Sequence, residues 1–275
     1  MGEVDEVTHS LGVAGASWFD LRLAPDAVHF GVPSLSATIV LALDRPTDVG
    51  WAHEPGHHGY RVLVAGLHTR PSLVRTHGRQ HGLQLALTPR GCRALLGLPI
   101  GAVSGHILEL DDLPAAPLHD VLAPVRAAPA PLRPTALRAG LLAVAARLHR
   151  ERPRPPRAEV VEAWRLLTTG HGGASVDDVA RTVGWSRRHL SAQFAAEVGL
   201  RPKEVARIAR LTAARALASA GQDLATVAAT TGYADQSHLT REWTAAVGRP
   251  PARSLRAEFP NLQDLTPAHR TGSGP

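Results

Sequence analysis

The chain has 275 residues, enough for about two domains that each bury a core of their own. Its hydrophobic share of 44% and charged share of 20% are those of a soluble globular protein, and Cys92, the single cysteine, excludes a disulfide framework or a cysteine-cluster zinc site. A formal charge of +6 suits a polyanionic partner, but Lys203 is the only lysine, and such arginine, alanine and proline enrichment can reflect coding bias, so charge alone argues weakly for nucleic acid.

The start "MGEVDEVTHS" is acidic and lacks the basic-then-apolar pattern of a signal peptide. The longest apolar run, "AGLLAVAARL", meets Arg147 after too few residues to span a bilayer, so a cytoplasmic protein with no membrane partner is expected. Residues 11–110 then read as strands: "WFDLRLAP", "ATIVLALD", "YRVLVAGLHT" and "HGLQLALTP" are short apolar or alternating runs bounded by Gly, Pro and Asp. Within them "TPRGCRALLGLP" reads as helical, with Thr88 as cap, Pro89 in the first turn and Ala94, Leu95 and Leu98 on an apolar face.

From "LDDLPAAPLHDVLAPVRAAP" onward the period is helical. "APAPLRP" interrupts it, and a helix resumes from Thr135 to about Arg150. The proline-dense run "RERPRPPRAE" is the linker candidate, and everything from Ala158 to Pro260 reads as helices broken by Gly and Pro. The expected class is therefore α+β, with four parts. Residues 1–115 form a β-rich sensor or dimerisation domain compatible with barrel-like closure, and 116–157 a helical connector with the Pro/Arg-rich linker. Residues 158–260 form an all-α domain, and 261–275 a disordered tail.

The all-α part contains an internal repeat. "SVDDVARTVGW" and "DLATVAATTGY" share V-A-x-T-x-G followed by an aromatic. Further on, His189-Leu190-x3-Phe194-x4-Gly199-x2-Pro202 matches His238-Leu239-x3-Trp243-x4-Gly248-x2-Pro251, with one extra residue between glycine and histidine in the second copy. Each copy has the grammar of a helix-turn-helix. Ser175 caps the first helix, with Asp178 three residues on completing a capping box, and Asp223 holds the equivalent place in the second copy. Gly184 and Gly232 end those helices, and Ser186 and Asp235 cap the next ones.

On each second helix one apolar pair, Leu190 with Phe194 or Leu239 with Trp243, must be the buried stripe. The opposite faces carry Arg187, Arg188 and Ser191 in the first copy and Gln236, Ser237, Thr240 and Arg241 in the second. Arginine pairs bidentately with guanine and glutamine with adenine, so such faces match the major groove, although most polar helix faces are merely solvated. Between the copies, "PKEVARIARLTAARALASAG" reads as one long spacer helix with a stripe through Val205, Ile208, Leu211 and Leu217.

From Ala158 to about Phe259 the chain resembles the AraC/XylS family of bacterial transcription regulators, with "GYADQSHLTREWTAAVGRPP" similar to the family's signature around its second helix-turn-helix. The resemblance implies seven helices, two helix-turn-helix units joined by a linker helix, and binding to promoter DNA to activate or repress transcription. It places base-reading positions on Arg188, Ala192, Gln236 and Arg241, with Ser191 and Thr240 beside them. Ala192 departs from the polar or basic reader of many relatives, so readout by the first helix is expected to rest on Arg187, Arg188 and Gln193. Lys203 and Arg249, at helix edges, are the phosphate-contact candidates, or plain solvated charges.

The histidines raise a rival reading. His53, Glu54, His57 and His58, or His77 and His81, have metal-ligand chemistry, but Gly78 and Gly82 argue against a helix presenting the latter pair. His189 and His238 precede core leucines, which favours packing over catalysis, and no Ser-His-Asp pattern, phosphate loop or nucleotide fingerprint accompanies them. The expectation is thus a regulator rather than an enzyme, with no cofactor. A small-molecule effector and RNA polymerase are its candidate partners, and it forms a homodimer in which Leu118–Val125 and Leu137–Leu148 pair between subunits. The alternative is a metal-binding or enzymatic N-terminal barrel with a helical docking module.

Overall fold

The computed structural model describes residues 8–25, 27–151 and 155–256. The expected tail at 261–275, the boundary at 260 and part of the "RERPRPPRAE" run lie outside them. Nine strands come first: β1 (Val13–Arg22), β2 (Val28–Gly31), β3 (Ala37–Ala42), β4 (Thr47–Trp51), β5 (His58–Tyr60), β6 (Val62–Ala65), β7 (Ser72–Arg75), β8 (Arg79–Leu87) and β9 (Ile107–Glu109). They form two antiparallel sheets, ordered β1-β8-β3-β6-β9 and β2-β7-β4-β5, so the β-rich region is a pair of sheets and not one closed barrel.

At its centre, on β3, the five-stranded sheet is buried on both faces, which the two-residue period of the strand makes visible. On β3, Ala37, Ile39 and Leu41 are at most 1% exposed and join the main core, while Val40 joins a smaller cluster with Phe19, Val49, Leu63 and Val74 between the sheets. Strand β8 lies between β1 and β3, with Gln84 opposite Ser17 of β1 and Val40 of β3. After β8 a short helical turn runs through Pro89–Gly91 into Cys92–Leu96. Thr88 Oγ1 accepts from the Gly91 amide at 3.2 Å, and Pro89 occupies the first turn where no amide is needed.

Two helices follow, α1 (Ala116–Ala127) and α2 (Arg133–Glu151), the second reaching slightly beyond the expected span because Pro134 is tolerated in its first turn. Their stripes, Leu118, Val121, Leu122 and Val125 on α1 and Leu137, Leu141 and Val144 on α2, are all buried in the main core of the same chain. Pairing of these stripes between subunits is thereby corrected: the stripes themselves are consumed inside one subunit.

Seven further helices complete the described chain: α3 (Ala158–Thr168), α4 (Val176–Thr182), α5 (Arg187–Val198), α6 (Pro202–Ser219), α7 (Leu224–Thr230), α8 (Gln236–Val247) and α9 (Pro251–Leu255). The main core continues without a break from the five-stranded sheet into α3, α4, α5 and the start of α6, as far as Ala206. A separate cluster holds the end of α6 with α7 and α8, around Leu211, Val227, Leu239, Trp243 and Val247, and includes Val32 from the end of β2. Among the described residues no helix is long and apolar enough to cross a membrane.

Candidate nucleic-acid interface

The two helix pairs, α4 with α5 and α7 with α8, are built from the same local rules. Gly184 and Gly232 follow α4 and α7 at φ +73° and +75°, a left-handed turn that glycine adopts without steric cost. Each turn is closed by the same bond: the Trp185 amide donates to the Ala180 carbonyl and the Tyr233 amide to the Ala228 carbonyl, both at 2.9 Å. The following helix is capped in each copy, with Ser186 Oγ accepting from the His189 amide at 3.2 Å and Asp235 Oδ1 from the His238 amide at 2.6 Å.

The leading helices are capped less symmetrically. Asp223 Oδ1 accepts from the Ala225 and Thr226 amides, and its bonds to Thr226 hold its carboxyl below the usual range. Ser175 Oγ accepts from the Asp178 amide at 3.1 Å, but its hydroxyl donates to the Asp178 carboxylate at 2.7 Å. The expected capping box is therefore replaced by a hydroxyl–carboxylate bond. That bond, helped by the paired Arg181, lowers the Asp178 pKa.

Behind each polar face lies a fully buried stripe: Leu190, Phe194 and Val198 in α5, and Leu239, Trp243 and Val247 in α8. Trp164 of α3 stacks on Phe194 with ring centroids 6.3 Å apart. Burial of those faces leaves Arg187, Arg188 and Ala192 of α5 and Gln236, Ser237 and Arg241 of α8 exposed, with Ser191, Gln193 and Thr240 half-buried beside them. Arg187 also reaches Asp177 at 3.3 Å.

His189 and His238 serve the turns. Each packs edge-on against the aromatic residue of its own turn, Trp185 at 4.7 Å and Tyr233 at 5.3 Å, and His238 Nδ1 accepts from the Ala234 amide at 3.3 Å. Lys203 is exposed at the start of α6. Arg249 is not on an open edge: its guanidinium lies 4.4 Å from the ring centroid of Phe30 in β2, and burial, with Arg253 second, lowers its pKa.

Both recognition helices end against the sheet region. Their C-terminal glycines, Gly199 and Gly248, are left-handed at φ +78° and +80°, and a Cβ on them would meet Ser104 Cβ at 2.5 Å and Phe30 Cε1 at 2.7 Å. Around Gly199, Ser104 Oγ donates to the Val198 carbonyl at 2.8 Å, and Arg93 grips Glu197 with two bonds of 2.7 and 2.5 Å. None of these contacts is visible as a local pattern; Arg93 and Glu197 are 104 residues apart.

The histidines weighed as metal ligands meet in part. His57 and His77 flank Asp48 at 3.4 and 3.0 Å, His58 packs on Tyr60, and His53 is exposed. Among the described residues no three His, Cys, Asp or Glu side chains are grouped to hold a metal ion. Cys92 is buried, which pushes its thiol up to about 12 and leaves it unreactive. Sequence reasoning missed the residues between the sheets, where His29, His68 and Gln84, with Thr38, Thr47, Ser72 and Gln80, stand among apolar side chains. The available signal was polar residues recurring on one face of strands that read as core.

A family described as a helix-turn-helix domain matches residues 179–257, which take in both recognition helices and the spacer between them. Residues 179–257 therefore carry a helix-turn-helix domain of AraC type. That domain makes the protein a DNA-binding transcription regulator. No curated protein sequence matches it. Among solved structures it is similar to ToxT from Vibrio cholerae, with 10% identity, a TM-score of 0.53 and coverage of 88% of this chain and 98% of that one. Another ToxT structure, with unsaturated fatty acid bound, matches at 12% identity and a TM-score of 0.51, covering 87% of this chain and 94% of that one. These likenesses show that the sheet region and the helices that follow it share one overall fold with ToxT.

Proposed function

We propose that this regulator reads promoter DNA with α5 and α8 entering successive major grooves on one face of the duplex. The observation that carries the reading is the repeated geometry: two helices with equivalent turns, caps and buried stripes, each turning arginine or glutamine outward. The spacer α6 has 18 residues and so is about 27 Å long, a span suited to recognition helices about one helical turn of DNA, roughly 34 Å, apart. In this reading Arg187, Arg188, Gln193, Gln236 and Arg241 read base edges, Ser191, Ser237 and Thr240 assist, and Ala192 contributes at most an apolar contact. Lys203 meets phosphate, while Arg249 does so only if it leaves Phe30.

The boundaries we assign are a sheet domain to residue 115, a connector to 157 and a DNA-binding domain from 158. The sheet domain senses a small-molecule effector, a role supported by the space between its sheets and by the fatty acid bound in one ToxT structure. The protein acts by binding and not by catalysis, in the cytoplasm, as a homodimer whose DNA complex recruits or blocks RNA polymerase. Leu132 and Leu142, 56% and 38% exposed, are apolar surface available for that dimer.

Titrating the purified protein onto promoter fragments at several salt concentrations tests the reading. A complex confined to one site that survives added salt is expected; binding that salt erases equally on every fragment would sink it.

A further inference from the structure

We infer that the space between the two sheets binds a small, uncharged molecule that offers a hydrogen-bond acceptor to Gln84, and that strand β2 transmits its presence to the second helix-turn-helix. The inference rests on the reading of the sheet domain as the effector domain and names the ligand class and the route.

The cavity has a volume of about 70 Å³. At ~10–15 Å³ for each water-sized group, it holds roughly five or six non-hydrogen atoms. Phe19, Val40, Leu63 and Val74 supply apolar walls from both sheets. Gln84 is only 4% exposed, and its Nε2 has no hydrogen-bond partner. A buried amide N–H left unpaired forfeits the hydrogen bond it would make in water, and an acceptor in the cavity would restore one.

The rest of the lining is neutral. Among the described residues no Asp, Glu, Lys or Arg side chain lines the space. Burial holds His29 and His68 near a pKa of about 4, so both are uncharged at neutral pH. The cations closest to those histidines are engaged outside. Arg70 pairs with Glu54 and lies 4.2 Å from the Trp51 ring centroid, and Arg249 stacks over Phe30. A carboxylate entering here would lose its hydration with no counter-charge, a larger loss than any hydrogen bond returns.

The route follows from strand alternation. His29 and Gly31 line the cavity, so Phe30 between them points away from it, into Gly248 and beneath Arg249. One residue past the strand, Val32 is 1% exposed inside the cluster of Trp243 and Val247. Strand β2 is an edge strand paired only with β7. A ligand that moves His29 or Gly31 therefore moves the end of α8, while α5 is held by other contacts.

The test uses the full chain with cyclopentanone, cyclopentane and cyclopropanecarboxylate, none larger than six non-hydrogen atoms, as probes, followed by chemical shifts of the Gln84 side-chain amide and of α8. The ketone is expected to bind at least tenfold more tightly than the other two. Gln84→Leu should bring ketone and hydrocarbon to equal affinity, and Val74→Phe should abolish binding of both. Equal or tighter binding of the carboxylate, no binding of any probe, or ketone binding untouched by both variants overturns the ligand assignment. Phe30→Ala should keep ketone binding yet remove the ligand-induced change in DNA affinity. If the ketone binds as expected but leaves α8 and DNA affinity unchanged in the unmodified protein, the ligand class stands and the route and effector reading fall.

Discussion

The two helix-turn-helix units are near copies locally and differ in what holds them. The first shares the main core with the sheet region, and is further fixed by the Arg93–Glu197 pair and the Ser104–Val198 bond. The second has its own small core and reaches the sheet region through Val32, Phe30 and Arg249. A repeat can thus be duplicated in backbone and caps while its units acquire different mechanical standing: one built into the body of the molecule, the other leaning on an edge strand.

The largest test of that difference is to empty the two cores. Phe194 and Trp243 hold equivalent positions and are both 0% exposed. Truncation of either to alanine is expected to cost about 3–5 kcal/mol. Phe194→Ala should weaken the whole chain, whereas Trp243→Ala should unfold α7, α8 and α9 and leave the rest protected. Native-state hydrogen exchange reads this directly, and loss of protection spread evenly in both variants would erase the distinction.

Acid should release the second unit first. His68 is buried and held near about 4, against 6.5 when unfolded, chiefly by loss of solvent. Between those values the unfolded chain binds more protons, so the stability is complete above pH 6.5, falls as pH drops, and has gone below about 4. The gap corresponds to on the order of 3 kcal/mol for a fully buried group. His29, shifted the same way by burial and then by Arg249, is partly exposed and contributes less. It adjoins Phe30, so α8 should lose exchange protection at a higher pH than α5. Urea unfolding at pH 7.5 and 4.5 should differ less in His68→Asn than in the unmodified chain; an identical difference rejects the assignment.

These contrasts explain what was legible in the sequence. Capping residues, turn glycines and four-residue apolar spacings are local, so the tandem units could be read from residues 175–251 without any knowledge of the rest. The sheet region was legible only as strands. Gln84 and His29 look like solvent-facing positions until two sheets close over them, and Phe30 has no partner until α8 arrives from more than two hundred residues away. Helices α1 and α2 illustrate the opposite error. Their stripes were read correctly as apolar, but periodicity carries no information on whether the covering surface belongs to the same chain.

DNA binding sharpens the comparison at the level of single side chains. Arg241→Ala is expected to weaken binding to the preferred site by about 1–3 kcal/mol and to relax preference at one base pair. Arg188→Ala should do the same at a base pair about one helical turn away. A uniform loss on all sequences for either variant would mark that arginine as a phosphate contact.

The smallest effect concerns the ion pair between the units' shared support and the first recognition helix. Arg93 is 34% exposed and Glu197 18%, so solvent screens the pair, and Arg93→Gln should cost only about 1 kcal/mol. The Ser104 bond and the continuous core remain, and α5 should therefore stay docked with little change in DNA affinity. Phe30→Ala removes a comparable contact from the second unit, where little else reaches the sheets, and should increase exchange in α8 well beyond what Arg93→Gln does in α5. Equal loosening of the two helices would mean that the first unit depends on its ion pair as much as the second depends on Phe30, and that burial in a common core does not set the difference between them.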